Sequence, residues 1–185
     1  PRPETEELVE WIIESQKSKV KSQKFEILDI GTGTGCIPIS LKANLPHVNV
    51  SAIDVSEKAL EVARRNAVSN KVEINFIQTN ILEVEDLSQL QTPNFQLPTS
   101  FDIIVSNPPY VRNLEKEEIK KNVLDYEPHL ALFVEDTDAL LFYRKIAQLA
   151  LKNLAPNGLL FFEINQYLGK ETVELLKNLG LKNIE

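Results

Sequence analysis

Short apolar runs alternate along the chain with longer stretches whose apolar residues recur three or four positions apart. The short runs are rich in strand-forming residues and predict strands at 25–30, 49–54, 72–77, 101–106 and 159–164. The longer stretches have the periodicity of helices that bury one face. Because strands that alternate with helices favour parallel pairing through right-handed crossovers, we expect an α/β fold with a doubly wound sheet.

Five of the longer stretches predict helices. Their apolar faces are formed by Leu8, Val9, Ile12 and Ile13; by residues 36–41; by Ala59, Leu60, Ala63 and Ala67; by Leu141, Tyr143, Ile146, Ala147, Ala150 and Leu154; and by residues within 170–179. Ser56 and Asp138 are the expected N-caps of the third and fourth helices, and Gly180 is expected to follow the last one. Residues 156–158 are expected to end the fourth helix, and residues 182–185 to begin a further strand.

Composition narrows the class of protein. The 185 residues suffice for one globular domain, 1–185. A net charge of −7 provides no general attraction to phosphate backbones, so direct nucleic-acid binding is not expected. One cysteine and two histidines suggest neither a disulfide nor a metal cluster. No apolar run approaches the roughly 20 residues that span a membrane, and no signal peptide opens the chain, so we expect a cytoplasmic protein.

A glycine-rich loop joins the first predicted strand to the second predicted helix. Its residues are Gly31, Thr32, Gly33, Thr34 and Gly35. Glycines permit a tight turn and let a ligand approach the backbone close to helix N–H groups. The spacing differs from the dinucleotide pattern Gly-x-Gly-x-x-Gly and from the phosphate-binding loop, which ends in Gly-Lys-Ser/Thr. The loop therefore predicts a ligand site without defining the ligand.

Asp54 ends the second predicted strand, about 20 residues beyond the glycine loop. A carboxylate at this position can accept hydrogen bonds from both hydroxyls of a ribose. The alternative is that Asp54 caps the following helix, since Asp-x-Ser is common before helices. The spacing from the glycines favours the ribose role.

Asn80 and Ile81 follow the third predicted strand, whose carboxyl end borders the ligand crevice of a doubly wound sheet. Asn80 is a candidate partner for the exocyclic amine of a purine, and Ile81 is a candidate contact for the purine face. Residues 83–100 come next, have no clear period and are expected to form a surface excursion.

The fourth predicted strand stops at Asn107, Pro108, Pro109 and Tyr110. The prolines remove two backbone N–H donors and hold φ in the extended region, so neither helix nor sheet continues. The Asn107 side-chain oxygen and the Pro108 carbonyl form a pair of acceptors, with the flat face of Tyr110 beside them. Such a pair suits a planar –NH2 group. The alternative is that Asn-Pro-Pro is only a turn that ends the strand.

Four segments together resemble the HemK/PrmC family of class I S-adenosylmethionine-dependent methyltransferases. They are Pro-Arg-Pro-Glu-Thr-Glu at 1–6, Leu-Asp-Ile-Gly-Thr-Gly-Thr-Gly at 28–35, Ser-Asn-Pro-Pro-Tyr at 106–110 and Glu-Pro-His-Leu-Ala-Leu at 127–132. The second and third segments are shared with many methylases, whereas the first and last are more specific to this family. The resemblance covers nearly the whole chain.

The resemblance implies a Rossmann-like sheet of the class I methyltransferase type. In departure from the family pattern, we expect this chain to lack the helical N-terminal domain of the family and to have incomplete C-terminal strands. The resemblance also implies methyl transfer from S-adenosylmethionine, with S-adenosylhomocysteine as product. The acceptor would be the side-chain amide nitrogen of the glutamine in the Gly-Gly-Gln motif of peptide-chain release factors, the proteins of translation termination.

The same resemblance assigns roles to residues. Asn107 and Pro108 would orient the acceptor amide as catalytic residues, while Pro109 and Tyr110 would wall the glutamine side chain. The implied cofactor-binding residues are Gly31, Thr32, Gly33, Thr34, Gly35, Asp54, Asn80, Ile81 and Asn107. Family members usually carry an acid where Asn80 stands and often an aromatic residue at Ile81, so the adenine contacts depart from the family pattern.

Two other functions stay open. An amino-group methyltransferase acting on adenine or guanine in DNA or RNA could use the same acceptor pair and stack a flipped base on Tyr110. A nucleotide-binding module that binds NAD, without methylase activity, could use the glycine loop and Asp54. The acidic balance and the opening segment disfavour the first, and the glycine spacing and Asn-Pro-Pro-Tyr disfavour the second.

Overall fold

The computed structural model of the protein describes residues 2–16, 25–108, 111–112, 133–134 and 138–185. Its helices are α1 (Pro3–Gln16), α2 (Cys36–Asn44), α3 (Glu57–Ser69), α4 (Leu141–Asn153) and α5 (Gly169–Leu179). Its strands are β1 (Glu26–Ile30), β2 (Asn49–Asp54), β3 (Asn75–Gln78), β4 (Gln91–Thr92), β5 (Phe95–Gln96), β6 (Phe101–Ser106), β7 (Val111–Arg112), β8 (Phe133–Val134) and β9 (Leu154–Phe162).

Five of these strands form a sheet in the order β3-β2-β1-β6-β9. All four neighbouring pairs are parallel, and Ile30 lies beside Ile53 on one side and beside Ser106 on the other. The chain builds outward from β1 through β2 to β3 and then returns to β6, on the opposite side of β1. This reversal creates the crevice at which doubly wound sheets bind ligands. The predicted doubly wound, mainly parallel α/β fold is confirmed.

The chain divides into two compact units. The first comprises Pro1–Asn107 and Leu149–Glu163 and contains the five-stranded sheet. The second comprises Pro108–Gln148 and Ile164–Glu185. Within the second unit, the buried hydroxyl of Tyr143 accepts a hydrogen bond from the backbone N–H of Asn165 at 3.3 Å.

The core of the first unit lies between the sheet and the helices α1 and α2. Its buried members are Leu8, Val9, Ile12, Ile27, Ile37, Leu41, Leu45, Val48, Val50, Ile103, Val105 and Phe161. Burial of an aliphatic or aromatic side chain of this size stabilises a fold by about 1.5–3 kcal/mol. The cluster therefore holds α1 against the sheet through the apolar face that the sequence predicts.

Two of the three predicted capping residues lie at helix ends in the structure. Ser56 caps α3 and accepts a hydrogen bond from the Ala59 N–H at 3.2 Å. Gly180 follows α5 with a left-handed φ of 99°. The prediction for Asp138 is wrong, because α4 begins further along the chain and the Asp138 carboxylate instead binds the guanidinium of Arg144 at 2.7 Å.

Left-handed residues move two strand boundaries away from their predicted positions. β3 begins at Asn75 rather than at 72, because Lys71 has a φ of 57° and the chain is still turning after α3. Residues 182–185 form no strand, contrary to prediction. Asn183 has a φ of 54°, which is incompatible with an extended strand.

β9 begins earlier than predicted. It starts at Leu154, so residues 156–158 lie inside a strand instead of forming a break before it. Asn157 has a φ of 65°, and the pairing with β6 changes register between Phe101 and Ile103. A bulge therefore accommodates the turn-forming residues without ending the strand.

Residues 83–100 are packed within the first unit, whereas the sequence predicts that they form a surface excursion. Leu87 is 0% exposed and Leu97 is 3% exposed. The Asn153 side chain accepts a hydrogen bond from the Leu87 N–H at 3.3 Å and donates one to the Asp86 carboxylate at 3.0 Å. The segment also contains the antiparallel pair β4 and β5.

Among the described residues, no helix has the length and apolar character needed to cross a membrane. The same residues contain no group of three or more His, Cys, Asp or Glu side chains that could hold a metal ion.

Substitution of Gly35 by alanine should cost more stability than the same change at Gly33. Both glycines have left-handed φ values, 84° and 56°. A Cβ at Gly35 would lie 3.0 Å from the Ala63 Cβ and 3.1 Å from the Ile39 Cδ1, whereas a Cβ at Gly33 would meet nothing within 4 Å. The left-handed conformation costs an alanine about 1–2 kcal/mol at either position, and crowding at Gly35 adds about 1–3 kcal/mol.

Urea unfolding of Gly35→Ala and of Gly33→Ala measures the difference. Equal losses of unfolding free energy in the two variants would show that α2 and α3 do not crowd Gly35.

Candidate functional site

The predicted site residues meet at the carboxyl edge of the sheet, where β1 and β6 lie side by side. The glycine loop follows β1, and Asn107 follows β6. A Cβ at Gly31 would lie 4.0 Å from the backbone oxygen of Asn107, so the two segments approach each other closely. The structure therefore brings the glycine loop and Asn107 together, as the sequence predicts.

The glycine loop is a tight turn that is stabilised by backbone hydrogen bonds. Gly31, Gly33 and Gly35 have φ values of 79°, 56° and 84°. The N–H groups of Gly31 and Thr32 both donate to the Ile53 carbonyl, at 2.8 and 3.0 Å, and the Gly35 N–H donates to the Thr32 carbonyl at 3.0 Å. Thr32 is buried, whereas Thr34 is exposed. The loop, which leads from β1 to α2, is thus held against the end of β2.

Asp54 lies against the glycine loop. Its Oδ2 accepts a hydrogen bond from the Gly33 N–H at 2.7 Å, and its Oδ1 accepts one from the Ser56 N–H at 2.8 Å. Ser56 supplies the cap of α3, which is the alternative role considered for Asp54. Each carboxylate oxygen has a further lone pair, so Asp54 retains the capacity to accept ligand hydroxyls. The ribose role remains a prediction.

Asn80 and Ile81 lie at the end of β3, as the sequence predicts. The Asn80 oxygen accepts a hydrogen bond from the Leu82 N–H at 3.2 Å, and its amide nitrogen donates to the Glu83 carboxylate at 2.8 Å. The side chain thereby caps the 3-10 turn Ile81–Glu83. Ile81 is only 7% exposed. A purine amine would have to share the Asn80 oxygen with the turn, and purine contacts of this pair remain a prediction.

Asn107 is half-buried, and within the described part of the chain its side-chain amide forms no hydrogen bond. The preceding residue, Ser106, is fully buried and donates from Oγ to the Ile30 carbonyl at 2.6 Å. This bond holds the end of β6 and leaves the Asn107 amide available to a ligand. Pro108 is buried, while Pro109 and Tyr110 lie outside the described residues.

Asp29 is a further candidate site residue, which the sequence motifs do not single out. It is 0% exposed in β1, two residues before the glycine loop, and neither carboxylate oxygen has a well-formed hydrogen bond among the described residues. The nearby hydroxyl of Thr32 is likewise without a well-formed partner there. An acid inside an apolar strand directly before a glycine loop is the sequence signal that indicates it.

The environment of Asp29 favours its neutral form. The pKa of the carboxyl is raised from 3.8 to about 7, mainly because burial penalises the charged form; the Thr32 hydroxyl lowers this pKa and the negative charge of Asp54 raises it by smaller amounts. An unpaired buried carboxylate is costly, and a nearby cation would relieve the cost. A positive charge beside the glycine loop would therefore favour the ionised form of Asp29.

Two surface cavities of about 400 and 320 Å³ lie away from these residues. Both are lined by Ile74 and Asn75, at the amino end of β3, and by Arg64 of α3. None of the predicted site residues lines either cavity. Since doubly wound sheets bind ligands at the carboxyl ends of their strands, the carboxyl edge is the stronger candidate.

Comparison with known proteins indicates the family of the chain. The family model described as "Methyltransferase small domain" matches residues 12–128. The chain is 65% identical over 183 residues to a release factor glutamine methyltransferase of Flavobacterium psychrophilum, covering 99% of this chain and 61% of that protein. It is 46% identical over 177 residues to the protein of the same name from Bacteroides thetaiotaomicron, covering 96% of this chain and 59% of that one.

The chain thus spans less than two thirds of the length of these two relatives. Among solved structures, it is similar to the ribosomal protein L11 methylase of Lactobacillus delbrueckii subsp. bulgaricus, with a TM-score of 0.60 and 20% identity. That match covers 100% of this chain and 75% of the other, and it shows a shared fold. Because the family model covers more than half of the sequence, the chain belongs to the methyltransferase small domain family.

Proposed function

We propose that this protein transfers a methyl group from S-adenosylmethionine to the side-chain amide nitrogen of the glutamine in the Gly-Gly-Gln motif of peptide-chain release factors. The observation that carries the proposal is the half-buried Asn107 amide, without a hydrogen bond among the described residues, beside the glycine loop. The names of the two relatives, both release factor glutamine methyltransferases, support the choice of substrate. We infer that the reaction takes place in the cytoplasm, where translation termination occurs.

The residues at the carboxyl edge fit S-adenosylmethionine. The molecule supplies a methyl group activated on a sulfonium, and it carries a ribose and an ammonium group. The left-handed glycines let a ligand approach the loop, and Asp54 would accept hydrogen bonds from the ribose hydroxyls. The buried carboxylate of Asp29, which has no well-formed partner among the described residues, would stabilise a cationic group of the ligand through its charge. Asn80 and Ile81 would lie at the adenine.

Asn107 and Pro108 would act on the acceptor amide. The nitrogen of a glutamine side chain is a poor nucleophile, because its lone pair is delocalised into the carbonyl. The Asn107 side-chain oxygen and the Pro108 carbonyl would accept its two N–H groups, which orients the nitrogen and stabilises the positive charge that develops on it. Pro109 and Tyr110 would lie against the glutamine side chain. Water can accept the proton after methyl transfer, so no strong base is required.

Asn107→Ala should abolish most methyl transfer while leaving the fold intact. Loss of one preorganised polar contact to the reacting group lowers turnover by about 10²–10³. The measurement is methyl incorporation into a release factor, with DNA and RNA offered as competing acceptors, together with the unfolding midpoint and S-adenosylhomocysteine binding. Asn94→Ala, at an exposed position of the turn between β4 and β5, is the matched control and should retain wild-type activity.

Near-normal turnover in Asn107→Ala would contradict the acceptor role of Asn107. Transfer to DNA or RNA in preference to the release factor would contradict the proposed substrate.

Asp54→Ala should weaken S-adenosylhomocysteine binding by at least about tenfold, because each hydrogen bond to a charged group contributes about 1.5–3 kcal/mol. Calorimetric titration measures the affinity. An analogue without ribose hydroxyls should lose less affinity than S-adenosylhomocysteine does, since it is affected only through the hydrogen bond by which Asp54 orders the glycine loop. A loss of affinity that is the same for both ligands would remove Asp54 from the ribose role.

Relative to wild type, Asp29→Asn should raise the unfolding free energy of the ligand-free protein more at pH 8 than at pH 5. In the folded state the carboxyl stays neutral up to a pKa of about 7, whereas the unfolded chain ionises it from 3.8 upward. The stability contributed by the neutral Asp29 is therefore complete below pH 4 and is lost as the pH rises towards 7, by up to about 1.4 kcal/mol per pH unit.

Urea unfolding of wild type and Asp29→Asn at the two pH values measures this contribution, because the other titrating groups are shared and cancel in the difference. S-adenosylhomocysteine at pH 8 should then stabilise the wild-type protein more than Asp29→Asn. A stability difference that is equal at pH 5 and pH 8 would show that Asp29 is not held neutral in the fold.

A further inference from the structure

The first turn of α1 is joined to the carboxyl edge of the sheet by a hydrogen bond between side chains. Thr5 is 7% exposed, and its hydroxyl donates to the Glu163 carboxylate at 2.7 Å. Glu163 directly follows the last residue of β9. The bond therefore places the start of α1 at the end of β9, although the two residues are 158 positions apart in the sequence.

The same glutamate is connected to the strand that carries Asn107. Its backbone N–H donates to the Ser106 carbonyl at 3.0 Å, and the Ser106 hydroxyl donates to the Ile30 carbonyl at 2.6 Å. Three successive hydrogen bonds thus link α1 to the end of β9, the end of β9 to β6, and β6 to β1. The last two residues of this series directly precede Asn107 and the glycine loop.

We propose that Thr5 and Glu163 are positioning residues for the acceptor amide: their hydrogen bond holds the first turn of α1 beside the end of β6, so that this turn borders the site at Asn107. The inference rests on the proposed function and deepens it. It assigns a role to the opening Pro-Arg-Pro-Glu-Thr-Glu segment, which contributes none of the groups proposed to bind the cofactor or to orient the amide.

The fold itself does not require this bond. The apolar face of α1, with Leu8, Val9 and Ile12, already packs in the buried cluster against the sheet. Thr is also a poorer helix former than Ala, so helix propensity does not account for Thr5. A buried hydroxyl paired with a carboxylate at the end of a strand defines a direction and a distance, which non-directional apolar packing does not.

Three variants test the assignment. Thr5→Val removes the donor while keeping the side-chain shape, Thr5→Ser keeps the donor, and Glu163→Gln removes the charge of the acceptor. Thr172→Val is the matched control, because Thr172 lies in the first part of α5, is buried, and has no partner for its hydroxyl among the described residues. Each protein is assayed for kcat and KM with a release factor, for S-adenosylhomocysteine affinity and for its unfolding midpoint.

Thr5→Val should lower kcat/KM for the release factor about tenfold to a hundredfold, the effect of a small misplacement of a reacting group. Its cofactor affinity and unfolding midpoint should stay close to those of wild type. Glu163→Gln should show a loss in the same direction, Thr5→Ser should recover most of the activity, and Thr172→Val should retain it.

Wild-type kcat/KM in Thr5→Val would overturn the assignment, as would Thr5→Ser being no better than Thr5→Val. A loss of activity matched by an equal loss of cofactor affinity or stability would show a purely structural role and would also overturn it. Absence of methyl transfer by the wild-type protein would overturn the proposed function itself, and the positioning role with it. Failure of the positioning role alone leaves wild-type activity intact, so the two failures are distinguishable.

Discussion

The parallel pairing of β1 with β6 is the contact on which the candidate site depends. Ile30 and Ser106 lie opposite each other at the carboxyl ends of these strands, and the buried Ser106 hydroxyl bonds to the Ile30 carbonyl. Because both strands end at the same level, Gly31 and Asn107 leave the sheet side by side. A slip of one residue would turn every side chain of one strand to the opposite face and would separate them.

Several polar side chains lie near this contact, at the carboxyl ends of the strands. Asp29 is buried without a well-formed partner among the described residues, and the hydroxyl of Ser106 and the pair formed by Thr5 and Glu163 lie at the same edge. A buried polar group without a well-formed hydrogen bond, such as Asp29, weakens a fold, so an apolar residue would serve the sheet better at that position. Asp29 lies on β1, where the strand order reverses, and this position supports the proposed binding edge.

The sequence predicts those parts of the fold that depend on local pattern. The end of a strand, a left-handed glycine and a helix cap each leave a short signal, so the positions of the glycine loop, Asp54 and Asn107 are readable before the fold is known. Features that depend on residues far apart in the sequence cannot be predicted from local pattern. The early start of β9 follows from its pairing with β6, and the anchoring of residues 83–100 follows from Asn153, far along the chain. The raised pKa of Asp29 likewise follows from burial that only the assembled sheet creates.

The hydrogen bond from the Gly33 N–H to Asp54 has a consequence for the thermodynamics of ligand binding. It closes the glycine loop onto the end of β2, so the loop already has a defined conformation in the ligand-free protein. Fixing the backbone of one residue costs about 1–2 kcal/mol of conformational entropy. Since folding has already ordered this loop, a ligand meets a preorganised receptor, and that entropic cost does not reduce its affinity.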